Sequence, residues 1–181
     1  MLCSTNPHKL RELRAALPGW ELEALKAEGY PEEAGETYEE NARLKARFGR
    51  SRAPADAWVL GEDAGVEVDA LDGRPGVHSA RWADRPVDSL LVELGDSGER
   101  GARFRCTIVA IAPDGREVAV EGRLEGTLAR ERRGTEGFGY DPVFVPAGEE
   151  QTVAELGNAW KSEHSARARA AQALRAALSA S

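Results

Sequence analysis

Two adjacent acids between glycines, Gly61-Glu62-Asp63-Ala64-Gly65, are the feature of this chain best suited to chemistry. A hard divalent cation such as Mg²⁺ takes carboxylate oxygens, and a carboxylate near a polarised water can accept its proton. Glu40 offers a third acid from another segment. As the third helical residue of the pattern Thr37-Tyr38-Glu39-Glu40, it serves equally well to close a capping box. Lys45 lies four residues after Asn41, so a donor and a cation on one helix face can address the same phosphate chain, although a lone helical lysine is ordinarily a solvated charge. Upstream, Ser4-Thr5-Asn6-Pro7-His8-Lys9 reads as a strand feeding a helix, whose free N–H groups and positive dipole end hold anions while Lys9 adds a point charge. The same run also reads as an N-capped surface helix with no ligand. Downstream, Gly134-Thr135-Glu136-Gly137-Phe138-Gly139-Tyr140-Asp141-Pro142 allows close backbone approach and offers aromatic faces to a flat base, or else forms a tight turn with its rings in the core. Lys161 and Arg167, before and within the start of the last helix, are cations for a triphosphate or a base carbonyl, or plain surface charges.

These residues have to be positioned by regular elements. Met1 to Cys3 reads as a short buried strand, and a helix follows with Asn6 as N-cap, Pro7 at its first position and Leu10, Leu13 and Leu17 inward. Pro18-Gly19 ends it. The capping box predicts a second helix from Thr37 to about Phe48. Trp58 to Gly61 and Val66 to Leu71 read as two strands, with the acid pair in a bend between them. Alternating Phe104, Cys106, Ile108 and Ala110, the turn Pro113-Asp114-Gly115, and alternating Val118 and Val120 predict a β-hairpin. Gly134 to Gly139 is a glycine-rich loop, and Ser165 to Leu178 an alanine-rich helix.

Composition bounds the possibilities. The 181 residues suit a single catalytic domain spanning 1–181, and 41% hydrophobic with 30% charged residues is an ordinary globular balance. A net charge of −7 argues against a nucleic-acid partner. Cys3 and Cys106 lie far apart and outside any C-x-x-C spacing, which points away from a disulfide framework or zinc site and toward a reducing cytoplasm. With no leader pattern and no apolar run approaching ~18 residues, neither secretion nor membrane spanning is expected.

Taken in order, the blocks closely resemble the inosine and xanthosine triphosphate pyrophosphatases, a family acting on purine triphosphates with non-standard bases. The S/T-x-N-x-x-K block stands at Ser4 to Lys9, the aromatic-Glu-Glu-Asn-Ala block at Tyr38 to Ala42 with Lys45, and the Asp-Asp-Ser-Gly block at Glu62 to Gly65. Gly73 to Arg81 extends the third block, Gly-Phe-Gly-Tyr-Asp-Pro is intact at Gly137 to Pro142, and the Lys followed by Ser-His-Arg becomes Lys161 with Ser165-Ala166-Arg167. The resemblance covers essentially the whole chain. Glu62 replaces the family's first Asp, Ala64 its Ser and Ala166 its His, and the segment between Arg81 and Arg103 is shorter than is usual in the family.

The resemblance implies an α/β fold, with an elongated mixed β-sheet, flanking helices and two lobes around a central nucleotide cleft. It implies a homodimer, and a purine nucleoside triphosphate as substrate, cleaved to monophosphate and pyrophosphate. By position, Ser4, Thr5, Asn6, Pro7, His8, Lys9, Lys45 and Ala64 would bind phosphate. Glu40, Asp63 and the longer Glu62 would hold Mg²⁺, with Asp63 steering or deprotonating the attacking water. Phe138, Gly139, Tyr140, Asp141, Lys161 and Arg167 would form the nucleoside pocket. Two alternatives are a pyrimidine or modified-nucleotide pyrophosphatase of the related septum-associated family and a nucleotide-binding sensor that has lost turnover.

Overall fold

The computed structural model describes residues 1–180. Around the Pro113-Asp114-Gly115 turn the expected hairpin forms between β2 (Gly101–Ile111) and β3 (Glu117–Leu128), in a register that sets Cys106 opposite Gly122 and Ile108 opposite Val120. On either side of it lie β1 (Val59–Val68), paired with β2, and the short β4 (Phe144–Pro146), paired with β3. The resulting sheet has order β1-β2-β3-β4 and is antiparallel throughout. Among the described residues, parallel pairing is confined to Leu2, whose bridges to Ala24 and Leu60 stand where a short first strand was expected.

Helices cover both faces. On one face, Leu60, Val66, Val68, Ile108 and Ala110 join α1 (Pro7–Ala16) and α5 (Ala166–Ser179) in the main apolar core, through Leu13, Ala170 and Leu174. On the other, Val109 and Ile111 pack with Ala42 and Ala46 of α2 (Tyr38–Arg50). The caps behave as the sequence predicts: Asn6 accepts from His8 N with Pro7 at the first helical position, and the Thr37–Glu40 capping box is complete. Ser165 caps α5 by accepting from Ala168 N. Two helices were not anticipated: α3 (Pro86–Leu94), and α4 (Val153–His164), which starts on its own capping box of Thr152 and Glu155.

The acid pair also departs from expectation. Residues 58–71 do not form two strands around a bend, because β1 runs without a break through Glu62, paired with Ile108, and Asp63, paired with Thr107. The flanking glycines are there for space. A Cβ on Gly61 would sit 2.0 Å from Ala42 O and 2.5 Å from Ala46 N, and one on Gly65 would sit 2.3 Å from Gly76 O. Glycine inside a strand is thus where a helix backbone and a short 3₁₀ turn (Gly76–Arg81) are admitted against the sheet.

Candidate active site

The strand's two-residue repeat sends Glu62 and Asp63 to opposite faces. Asp63, 3% exposed, meets α2: its Oδ2 accepts from Asn41 Nδ2 at 3.1 Å and its Oδ1 from Lys45 Nζ at 2.9 Å. The Asn41 and Lys45 side chains reach it together because they are one helical turn apart. Lys45 Nζ also donates to the Glu62 carbonyl at 3.0 Å and pairs with Glu33, whose other oxygen takes Arg81 at 3.0 Å. Burial opposes the Lys45 charge, but Asp63, Glu62 and Glu33 outweigh it and raise its pKa above the ordinary lysine value. Burial raises Asp63 above the usual aspartate range, against the pull of Lys45.

Glu62 looks the other way, into the layer between sheet, α1 and α5, and is fully buried. Its Oε2 lies 2.7 Å from Lys9 Nζ, and its Oε1 accepts from Arg167 Nε at 3.0 Å and Nη2 at 2.8 Å. Burial alone would raise the carboxyl, yet Arg167 and then Lys9 hold it well below the usual carboxylate range. Arg167 and Lys161 both pair with Glu12 on α1, and Lys161 Nζ reaches Asp141 Oδ2 at 2.5 Å. Asp141 also accepts from Phe138 N at 2.7 Å, so the glycine-rich loop is fastened to Lys161. Lys161 is aimed by a break in α4: Gly157 leaves helical geometry, and Glu136 accepts from Asn158 N at 2.8 Å, capping the second half of the helix.

Two cavities, about 580 Å³ and about 300 Å³, meet along Asn6, Lys9, Glu33 and Ala80. Ser4, Thr5, Asn6, Lys9 and Lys45 line the larger one, beside the start of α1, whose first turn carries no acid. That end suits a polyanion. The smaller one is lined by Asp63, Ala64, Phe138, Gly139, Tyr140, Asp141, Lys161 and Arg167, and is walled by Phe104 and Leu124, which suits a flat ring. Lys161 Nζ stands 4.2 Å from the Phe138 ring centroid. The Tyr140 hydroxyl donates to Ser79 O at 3.1 Å, tying this loop to the 3₁₀ turn opposite.

Most of the sequence-selected residues therefore meet in one cleft, with four placed elsewhere. Pro7 starts α1, and His8 packs its ring against Phe138 at 5.0 Å instead of lining either cavity. Glu40 commits Oε2 to the N–H groups of Glu36 and Thr37, as its capping role requires. Glu62 is spent on Lys9 and Arg167. The expected convergence of Glu40, Glu62 and Asp63 on one metal accordingly does not form, and among the described residues no group of three His, Cys, Asp or Glu side chains is arranged to hold a metal ion. Strand parity separates two of these acids, and the capping box holds the third. Sequence reading missed Glu12 and Glu33, which sit beside other charged residues, as Arg11-Glu12 and Glu32-Glu33, and carry no signal of the ion pairs they make.

Comparison with known proteins finds relatives over most of the chain. The model of the Ham1 family matches residues 1–177. A dITP/XTP pyrophosphatase of Bdellovibrio bacteriovorus is 46% identical over 149 residues, covering 78% of this chain and 74% of its own length. One from Deinococcus deserti is 42% identical over 184 residues, covering 98% and 88%. Among solved structures, the Staphylococcus aureus Ham1 protein superposes with a TM-score of 0.86 at 32% identity, covering 99% of this chain and 97% of its own. A nucleoside-triphosphatase / dITP/XTP pyrophosphatase from Mycobacterium abscessus gives 0.72 at 40% identity, covering 98% and 97%.

Proposed function

The chain belongs to the Ham1 family, and we propose that it hydrolyses purine nucleoside triphosphates with a non-standard base (dITP, ITP and XTP) to the monophosphate and pyrophosphate. One observation carries this reading. Asp63 lines the aromatic-walled cavity and is bonded to Lys45, which lines the adjoining cation-lined cavity on the α1 terminus. A nucleotide laid along it puts its phosphates against Lys9 and Lys45 and its base against Phe138. The α-phosphorus then falls near the carboxylate.

Attack of water at that phosphorus expels pyrophosphate, so the site has to neutralise the leaving group and align the nucleophile. Lys9, Lys45 and the N–H groups of α1 meet the first need. Asp63 meets the second: Asn41 and Lys45 fix its orientation, and burial makes it a stronger proton acceptor than a free aspartate. The 6-keto oxygen of hypoxanthine or xanthine satisfies a donor that adenine's amino group would oppose, and Lys161 and Arg167 are the cations at that end.

The donor set fits a hard divalent cation. Asp63 and Glu33 already bring carboxylate oxygens around the Lys45 ammonium, and Mg²⁺ commonly takes one or two carboxylates, completing its shell with substrate phosphates and water. Glu40, held by its cap, is not part of this set. Bound there, the ion would supply charge neutralisation for the phosphates. The reading extends to a homodimer and a cytoplasmic location, supported by the family resemblance and by two free, buried cysteines. Among the described residues no helix is long and apolar enough to cross a membrane.

The test is product analysis with Mg²⁺ over dITP, ITP, XTP, GTP, ATP, UTP and dTTP. Monophosphate and pyrophosphate from the 6-keto purines are expected. Preference for UTP or dTTP would favour the septum-associated reading, tight binding without products a sensor, and stepwise orthophosphate release would refute the cleavage site.

A further inference from the structure

We propose that Glu62 is a positioning residue that ties the phosphate end of the cleft to the base end, acting on substrate only through Lys9 and Arg167. Those two cations line the cleft, whereas Glu62 lies behind them with no exposure. One carboxylate holds both, Lys9 through Oε2 at 2.7 Å and Arg167 through Oε1 at 2.8 Å and 3.0 Å. Cys106 Sγ, 3.2 Å from Oε1, occupies another side of the same group.

The cations come from opposite ends of the chain. Lys9 lies in the first turn of α1, and Arg167 in the first turn of α5. Glu12, one turn beyond Lys9, takes the remaining Arg167 amino group and also Lys161 Nζ at 2.6 Å, so Arg167 is held from two sides. Movement of Lys9 toward a phosphate therefore pulls on the carboxylate that orients Arg167, and the reverse holds as well. Side-chain length is what allows this. The aspartate that the family resemblance leads one to expect at this position is shorter by one methylene, about 1.5 Å, and a carboxylate withdrawn that far cannot keep hydrogen-bond distance to both partners.

The inference rests on the cleft being a nucleoside triphosphate site, and its test separates the two. In the full-length protein we would measure pyrophosphate affinity without divalent metal, which reads the Lys9 end, and the ITP to ATP ratio of kcat/KM, which reads the Arg167 end. The third measurement is the Mg²⁺ concentration for half-maximal activity. Glu62→Gln keeps the shape and removes the charge. It should weaken metal-free pyrophosphate binding and lower the ITP to ATP ratio, each by at least about fivefold, while leaving the Mg²⁺ requirement unchanged. With Arg167→Ala added, the ratio should fall no further than with Arg167→Ala alone.

A rise in required Mg²⁺ with metal-free pyrophosphate binding intact would make Glu62 a metal ligand and overturn the proposal. Unchanged pyrophosphate affinity and ratio would reduce it to core filling, with the same effect. Should Glu62→Gln fail to fold, Glu62→Asp retains the charge, and both readouts should still move by at least about twofold. Neither moving would overturn the coupling. A wild-type protein that neither cleaves ITP nor binds pyrophosphate would instead sink the functional reading beneath it.

Discussion

Adding one methyl group at Gly61, which touches no substrate, should disable the active site. The Cβ of Gly61→Ala would lie 2.0 Å from Ala42 O and 2.5 Å from Ala46 N, where ordinary contacts begin at 3.4 Å. Both obstacles are backbone, so no side chain can swing aside. The helix has to retreat from the strand by about 1 Å or more, and Asn41 and Lys45, which flank Ala42 and Ala46 on α2, retreat with it. Their bonds to Asp63 start at 3.1 Å and 2.9 Å and would pass the hydrogen-bond limit. Overpacking of this kind costs about 1–3 kcal/mol, a Tm drop of roughly 2–12 °C for a chain of this size. The catalytic loss should be larger than stability explains, because a displacement of about 1 Å in a positioning group costs on the order of 100-fold in rate. The assay is pyrophosphate release from ITP at a temperature where melting shows the variant folded, with Gly98→Ala as control, since nothing lies within 4 Å of a Cβ there. A folded Gly61→Ala protein with kcat/KM within about threefold of wild type would refute the claim that α2 positions Asp63.

Asp63→Asn should lower kcat by at least about 100-fold while metal-free pyrophosphate affinity stays within about threefold, measured by single-turnover kinetics and calorimetry; a normal kcat removes Asp63 from the chemistry. Ala166, buried at the start of α5 and lining the smaller cavity, should become a base-reading position when replaced: Ala166→His should raise the ITP to ATP ratio of kcat/KM by up to about tenfold, the worth of one hydrogen bond, and an unchanged ratio would place base recognition elsewhere. Stability should report the Glu62 pair directly. Its folded pKa is depressed, so its contribution is present above the unfolded pKa and is lost as pH falls below it. Glu62→Gln should therefore cost about 3–5 kcal/mol at pH 7, with the gap to wild type narrowing as pH drops below about 4.5 in urea titrations. A gap independent of pH would mean the carboxylate charge is not what stabilises.

Local rules were legible wherever their signals were local. Asn6-Pro7 and Thr37-Glu40 cap helices because neighbouring backbone N–H groups need partners. The alternation through Phe104 to Ala110 gave the hairpin and its buried face. Gly61 and Gly65 misled because glycine has two meanings: a bend, or a place where another backbone comes close. Only the packing of α2 and the 3₁₀ turn selects the second. Helix α4 stayed hidden although Thr152 and Glu155 form a capping box, since Gly157 interrupts its periodicity. The cleft blocks stood out as a set, but Glu12 and Glu33 did not, since their half-buried ion pairs depend on cations from distant segments: Arg167 and Lys161 for one, Lys45 and Arg81 for the other.

The two neighbouring acids show how strand parity turns a motif into a division of labour. Read as a sequence, Glu62 and Asp63 are equivalent ligands for one ion. On a continuous strand they cannot be, because successive side chains face opposite layers. Asp63 meets one ammonium and one amide, and burial dominates, so its carboxyl is raised and ready to take a proton. Glu62 meets a guanidinium and a second ammonium, which overcome its complete burial and hold its carboxyl well below the usual carboxylate range. When environment drives adjacent carboxyl groups apart in this way, the raised one is the candidate for proton transfer and the lowered one for holding cations in place. Exchanging the charge patterns of the two faces, and not merely the two residues, would be required to exchange those roles.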